Sequence, residues 1–179
     1  PLAELRGRST VVPQVPFLFT SSIAENISME RPDSEARLAH AAAEAALGSD
    51  LERLPDGLAT VVGERGVTLS GGQRQRVALA RGFAREFDLL LLDDVLSAVD
   101  HDTEQRLIHS IRQRASGSEG RRPTVVVVSH RLGVLSHADH VLVLHEGRLV
   151  DQGRHRDLIE RPGPYREAWL VQQDEGEAS

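Results

Sequence analysis

Cysteine is absent, so the chain offers neither a disulfide framework nor a thiolate metal site. That suits a reducing compartment. Aromatic residues make up only 3% of the sequence, which argues against an extended stacking platform for nucleic acid bases. No stretch approaches the roughly 18–20 consecutive apolar residues that span a bilayer. The start carries no basic-then-apolar secretory pattern. Any membrane role must therefore come through a partner or a part of the protein outside this sequence. Basic residues are outnumbered, 21 against 27 acidic, for a formal charge of −6. That balance argues against a broad polyanion-binding surface but not against one local phosphate site. The phosphate-cradling pattern G-x-x-x-x-G-K-[ST] occurs nowhere.

What remains is enough for one domain or most of one: 179 residues, 40% hydrophobic and 27% charged. Ser9 to Val12 is a short β-rich run stopped by Pro13, and Pro16 to Thr20 reads as loop. Ser21 or Ser22 is placed to cap a short helix. An Ala-rich helix is expected from Ser34 to Leu47, ended by Gly48. Pro55-Asp56-Gly57 is a turn, with a strand or loop over Leu58 to Val62. Strong helix formers run from Gln73 to Arg85. Leu89 to Leu92 is a continuous apolar run ending in Asp93 and Asp94, which predicts a strand buried on both faces. Asp102 to Arg114 predicts an amphipathic helix, with Leu107, Ile108 and Ile111 as its apolar stripe. Thr124 to Val128 is a second β-branched run expected to be buried, ending in Ser129 and His130. Val141 to Val150 reads as a hairpin about Glu146-Gly147. Leu158 to Val171 reads as helix, broken near Pro162-Gly163-Pro164, with a polar tail expected to fray.

Strands alternating with helices predict an α/β layered fold. The nearly strand-free stretch from 21 to 85 predicts a helical subdomain inserted into it. The expected divisions are 1–20, a core remnant; 21–85, the helical subdomain; 86–172, the rest of the core; and 173–179, the tail.

The motif with most chemical content is Leu69-Ser70-Gly71-Gly72-Gln73, followed by Arg74-Gln75-Arg76. A serine before two glycines at a helix start makes an anion site. The glycines let backbone N–H groups approach a phosphate, and the helix dipole adds partial positive charge. A Ser-Gly pair also begins many helices as a simple N-cap. The full pentapeptide with its Arg-Gln-Arg continuation is more specific. It resembles the signature motif of ATP-binding cassette (ABC) ATPases, and the resemblance extends over nearly the whole chain.

The resemblance implies a partial RecA-like P-loop NTPase core, ATP and Mg²⁺ as cofactors, and roles for the matching residues. Gln14 resembles the Q-loop glutamine that touches metal and attacking water and signals to the membrane domain. Asp93, 20 residues after Gln73, resembles the Walker B carboxylate that holds Mg²⁺. Asp100, in Ser97-Ala98-Val99-Asp100, resembles the D-loop aspartate at the dimer interface, although alone it reads as a helix cap. His130 resembles the switch histidine that addresses the γ-phosphate and the catalytic water. Leu69, Ser70, Gly71, Gly72 and Gln73 would close on ATP held by a second cassette. Val62-Gly63-Glu64-Arg65-Gly66 and Phe17-Leu18-Phe19 resemble segments with which exporters contact their membrane helices.

Asp94 departs from the pattern, which has glutamate there to polarise the attacking water. One methylene less withdraws the carboxylate by about 1.5 Å, and a misplacement of about 1 Å costs on the order of 100-fold in rate. Slow hydrolysis at this site is expected. Asp-Asp resembles one half of heterodimeric exporters, so a different partner cassette is favoured over an identical one. The missing phosphate loop and adenine-stacking aromatic lie, in the family, ahead of the residue matching Pro1. The chain is accordingly expected to be a C-terminal fragment of an exporter ATPase at the cytoplasmic face of a membrane, partnered by a transmembrane domain and not by nucleic acid. Two rivals stand beside it: a soluble cassette ATPase acting on DNA or ribosomes, and a largely non-hydrolysing regulatory half. Acidic charge and the exporter-like loops weigh against the first.

Overall fold

The computed structural model describes all residues except 1, 30, 64, 65, 98, 118–121, 178 and 179, and side-chain burial as far as 173. The chain divides into two compact units, Pro1–Val128 and Ser129–Ser179. The first contains α1 (Leu2–Arg8), β1 (Ser9–Val12), β2 (Ser21–Ser22), α2 (Ile23–Ser28), α3 (Glu35–Glu44), α4 (Gly48–Leu51), β3 (Val61–Val62), α5 (Gly71–Phe83), β4 (Leu89–Asp93), α6 (His101–Ser116) and β5 (Thr124–Val128). The second contains α7 (Leu132–Leu135), β6 (Val141–His145), β7 (Arg148–Gly153), α8 (His155–Glu160) and α9 (Pro164–Glu177).

In the first unit a parallel sheet has the order β1-β4-β5. Leu90 pairs with Thr10 and Val125, and Asp93 with Val128. Register puts paired residues on the same face of a parallel sheet. Thr10, Val12, Leu90 and Leu92 are buried on the face that α5 covers. A Cβ on Gly82 of α5 would lie 2.9 Å from Val12 Cγ2, so glycine there permits the close helix–sheet approach. Each fully buried Leu or Val contributes roughly 1.5–3 kcal/mol by transfer from water.

The expectation that both apolar runs are buried on both faces is corrected. Leu89 and Leu91 are half-buried, and on the same face Val11, Val126 and Val128 are exposed at 60%, 40% and 50%. Burial depends on what packs against a strand, and among the described residues only one face of this sheet is well covered.

Local capping signals account for the starts of α2, α3, α5 and α6. Ser22 caps α2 in a full capping box with Glu25, and Ser34 caps α3. The Ala-rich helix ends earlier than expected, at its C-cap Ala45. Ala46 takes the left-handed conformation (φ 54°), and Gly48 opens α4 instead of terminating α3. Helices dominate residues 21–85, with β2 and β3 as a two-residue antiparallel pair. Arg114 pairs with Glu44, joining α6 to α3, and lies 5.5 Å from the Phe83 ring centre.

The second unit has its own small core of Leu132, Val141, Leu158 and Tyr165. The β6–β7 hairpin turns at Glu146 and Gly147, both with positive φ, as two-residue primed turns require. The polar end expected to fray is helical as far as Glu177.

Candidate active site

The α5 helix is the frame on which the site is hung. Ser70 caps it: its Oγ accepts from the Gln73 N–H at 3.2 Å, and Gln73 Oε1 accepts from the Ser70 N–H at 2.8 Å. Ser70 and Gly71 are exposed, and a Cβ at Gly71 would meet no heavy atom within 4 Å. The first turn holds no acidic residue. By helix geometry the N–H groups of Gly71 and Gly72 have no intrahelical acceptor, and the exposed Gly71 and half-buried Gly72 stand at the positive end of the dipole. Leu69 is buried beneath the turn, and its carbonyl accepts from Arg74 Nη1 at 3.0 Å. Gln73 is half-buried, with both polar ends of its amide already engaged inside the fold, the second by Asp50.

Further along α5, two side chains hold the loop after β1. The buried Gln75 donates from Nε2 to the Pro13 carbonyl at 3.1 Å, directly before Gln14. Arg81 donates to the Asn26 carbonyl (2.8 Å), Asn26 Oδ1 (3.2 Å) and the Phe17 carbonyl (3.1 Å). Burial, and secondarily the charge of Arg85, lowers the Arg81 pKa from its ordinary value. Arg81 was not singled out from the sequence and Gln75 entered only within Arg74-Gln75-Arg76, because their acceptors lie 55 and 62 residues away.

The carboxyl end of β4 carries the acids. Asp93 is half-buried at the last ladder position. Asp94 turns out of the strand with φ 48°, its N–H donating to the Val128 carbonyl at 2.8 Å. A short polar side chain tolerates that left-handed conformation better than most. Gln14 Nε2 donates to Asp94 Oδ2 at 3.2 Å, so two residues 80 positions apart meet at the strand end. Asp93, Asp94 and the Gln14 amide supply only oxygen donors. No group of three or more His, Cys, Asp or Glu suited to a metal occurs among the described residues. That set fits Mg²⁺, which takes one or two carboxylates and completes its shell with water and phosphate oxygens.

Asp100 is the N-cap of α6. Its carboxylate accepts from the Thr103 N–H (2.9 Å) and hydroxyl (2.8 Å), and these two bonds, the backbone one foremost, lower its pKa. His130 lies in the second unit, exposed, with its carbonyl accepting from Gln172 Nε2 at 2.7 Å. Glu64, Arg65 and Ala98 fall outside the described residues.

Comparison with known proteins decides what this frame is. The model of the family described as ABC transporter matches residues 1–97. The chain belongs to the ABC transporter family. It is 41% identical over 173 residues to the multidrug resistance-like ATP-binding protein MdlA of Escherichia coli, covering 96% of this chain and 28% of that protein. It is 42% identical over 174 residues to a probable multidrug resistance ABC transporter ATP-binding/permease protein, YheI, of Bacillus subtilis, covering 97% and 29%. The fold superposes on a bacterial Atm1-family ABC exporter solved with ATP bound, with TM-score 0.86 and 42% identity, over 96% of this chain and 30% of that one. The chain thus spans under a third of each of these ABC proteins. Its α/β architecture with a parallel sheet is that of the RecA-like core of ABC exporter nucleotide-binding domains.

Proposed function

We propose that this chain is part of the ATPase engine of an ABC exporter. Its exposed α5 start closes on the terminal phosphate of ATP held by a second cassette. The observation that carries the reading is that turn: two consecutive glycines follow the Ser70 cap at the positive end of the dipole, exposed at Ser70 and Gly71, with nothing near the Cβ position of Gly71. In this reading Asp93 and Gln14 hold Mg²⁺ with the phosphate oxygens. Mg²⁺ held by these residues would supply positive charge against the phosphate oxygens. Asp94 and His130 orient the attacking water, and Asp100 lies along the cassette interface. The phosphate loop and its lysine come from elsewhere in the protein, since every basic residue among the 21 in this chain is arginine.

Coupling to a transmembrane domain at the cytoplasmic membrane face runs through the loop after Gln14. Val15, Phe17 and Phe19 are exposed there, and the two rings meet edge-on at 5.1 Å. An apolar cluster next to a metal-site glutamine is a reasonable seat for a membrane-domain segment. In this reading the site is slow, because Asp94 stands where a longer acid is the family's rule, and a different, competent cassette is its preferred partner.

Gly71→Asp tests the turn. Since the added side chain enters open space, folding is expected to be unchanged. ATP hydrolysis by the intact transporter is expected to fall by about 100-fold, the scale of losing one positioned donor. A full rate in that variant overturns the proposal. Asp94→Glu separately tests the slow site: a rate increase is expected, and an unchanged rate refutes that part alone.

A further inference from the structure

The geometry points to Asp50 as a positioning residue for the Ser70 turn, acting through the side chain of Gln73. This rests on the reading above, in which that turn contacts a phosphate. Asp50 sits on the four-residue α4, and its carboxylate is 13% exposed. Oδ1 accepts from Gln73 Nε2 at 3.0 Å. Oδ2 accepts from Arg76 Nη2 at 2.6 Å and Nε at 3.1 Å. On the other side of the same amide, Gln73 Oε1 accepts the Ser70 N–H. The result is one continuous chain from carboxylate to amide to the backbone of the signature turn.

The direction of this chain is set by chemistry. An ionised carboxylate only accepts hydrogen bonds. Facing Asp50, the Gln73 amide must present its NH₂ group, and its oxygen is thereby turned to the Ser70 N–H. Without that constraint the amide can flip, setting NH₂ against the Ser70 N–H, donor against donor, and opening half of the capping box. Arg76 completes the arrangement by neutralising Asp50. A bare carboxylate beside the start of α5 would otherwise oppose the anion that the helix end attracts. Asp50 therefore fixes the turn's geometry without adding net negative charge. The same geometry makes Gln73 a relay within the fold, not a direct phosphate ligand.

Two measurements on three proteins test this. Asp50→Asn keeps the volume but can offer its own NH₂ to the Gln73 amide. Hydrogen exchange of the Ser70 amide, followed by NMR in this chain, is expected to accelerate roughly fivefold or more, as for loss of a typical cap bond. In the intact transporter kcat is expected to fall about tenfold or more, with KM for ATP little changed, since the misplaced contact belongs to closure on the phosphate. Asp50→Asn combined with Gln73→Glu rebuilds the chain with reversed polarity: the introduced amide donates to the introduced carboxylate, which still accepts the Ser70 N–H. Ser70 protection is expected to return in this double variant, and Ser70 exchange that stays fast in it overturns the relay. Unchanged Ser70 exchange in Asp50→Asn overturns the role of Asp50. Faster exchange with unaltered kcat leaves the relay standing and overturns the phosphate reading of the turn.

Discussion

Arg81→Met should loosen the segment from Val15 to Ser22 and destabilise the first unit by about 2–3 kcal/mol. Methionine keeps most of the aliphatic packing and removes the fork. Three acceptors lose their donor: the Asn26 carbonyl, Asn26 Oδ1 and the Phe17 carbonyl. They do not count equally. The Phe17 carbonyl bond is exposed, so water can replace the guanidinium at little cost. Asn26 is fully buried, and its carbonyl sits near the end of the six-residue α2, where Arg81 Nε is its donor among the described residues. An orphaned buried acceptor costs about 1–3 kcal/mol. The shared Asn26 Oδ1 keeps its bond from the Phe19 N–H and loses only a long one. The half-buried guanidinium's own desolvation, visible in its lowered pKa, is recovered on removal and offsets part of the loss. At roughly 2–4 °C per kcal/mol for a chain of this size, Tm should fall by about 4–12 °C. The single tryptophan, Trp169, is in the second unit and does not probe this segment directly. Far-UV circular dichroism and hydrogen exchange at the Phe19 amide follow the transition. Arg81→Lys should recover little of the loss, because an ammonium cannot span three acceptors with fixed fork geometry. A Tm within about 1 °C of the parent, with Phe19 exchange unchanged, would falsify the assignment of Arg81 as the tie between α5 and this segment.

Two further outcomes are expected. Gly66→Ala places a Cβ 2.3 Å from the Val61 carbonyl oxygen and 2.8 Å from its carbon. These are backbone atoms that cannot rotate away, so a loss of about 1–3 kcal/mol or more is expected in urea unfolding; an unshifted midpoint counts against the approach of these strands. In the second unit, burial foremost and the nearby charge of His137 lower the His155 pKa. His155 meets Tyr165 Oη at 2.8 Å and the Trp169 ring edge-on at 4.7 Å. A base whose folded pKa is depressed resists protonation in the fold. Its contribution is therefore complete above the ordinary imidazole value near 6.5 and is lost as pH falls below it. Urea midpoints read from Trp169 fluorescence should decline from pH 8 toward 5, and His155→Phe should flatten the decline; a slope that persists in that variant refutes the attribution.

How much of this was legible beforehand follows from the range of each interaction. Caps at Ser22, Ser34, Ser70 and Asp100, and the hairpin turn at Glu146-Gly147, are decided within three or four residues, and each stands where side-chain chemistry places it. The end of α3 was misread because two local solutions compete for the left-handed position, and Ala46 takes it two residues before Gly48. Burial of Val126 and Val128 was misread for a different reason: a β-branched run reports what a strand can bury, not what is packed against it. Gln14 and Asp94 were assigned to one site only through the family resemblance; no period or composition joins positions 80 apart. Asp50, Asn26 and Arg81 had no such help, and Gln75 entered only as a neighbour of the signature. Each is a polar residue in a helical stretch, where a solvated surface is the ordinary expectation. What distinguishes them is a partner 23 to 62 residues away that burial alone makes indispensable. These four all bind through α5, the helix that also carries the exposed serine–glycine turn. The turn and the Gln14 loop are thus held by one helix. The Phe17 carbonyl is tied to the turn by the stretch of α5 from Gly71 to Arg81.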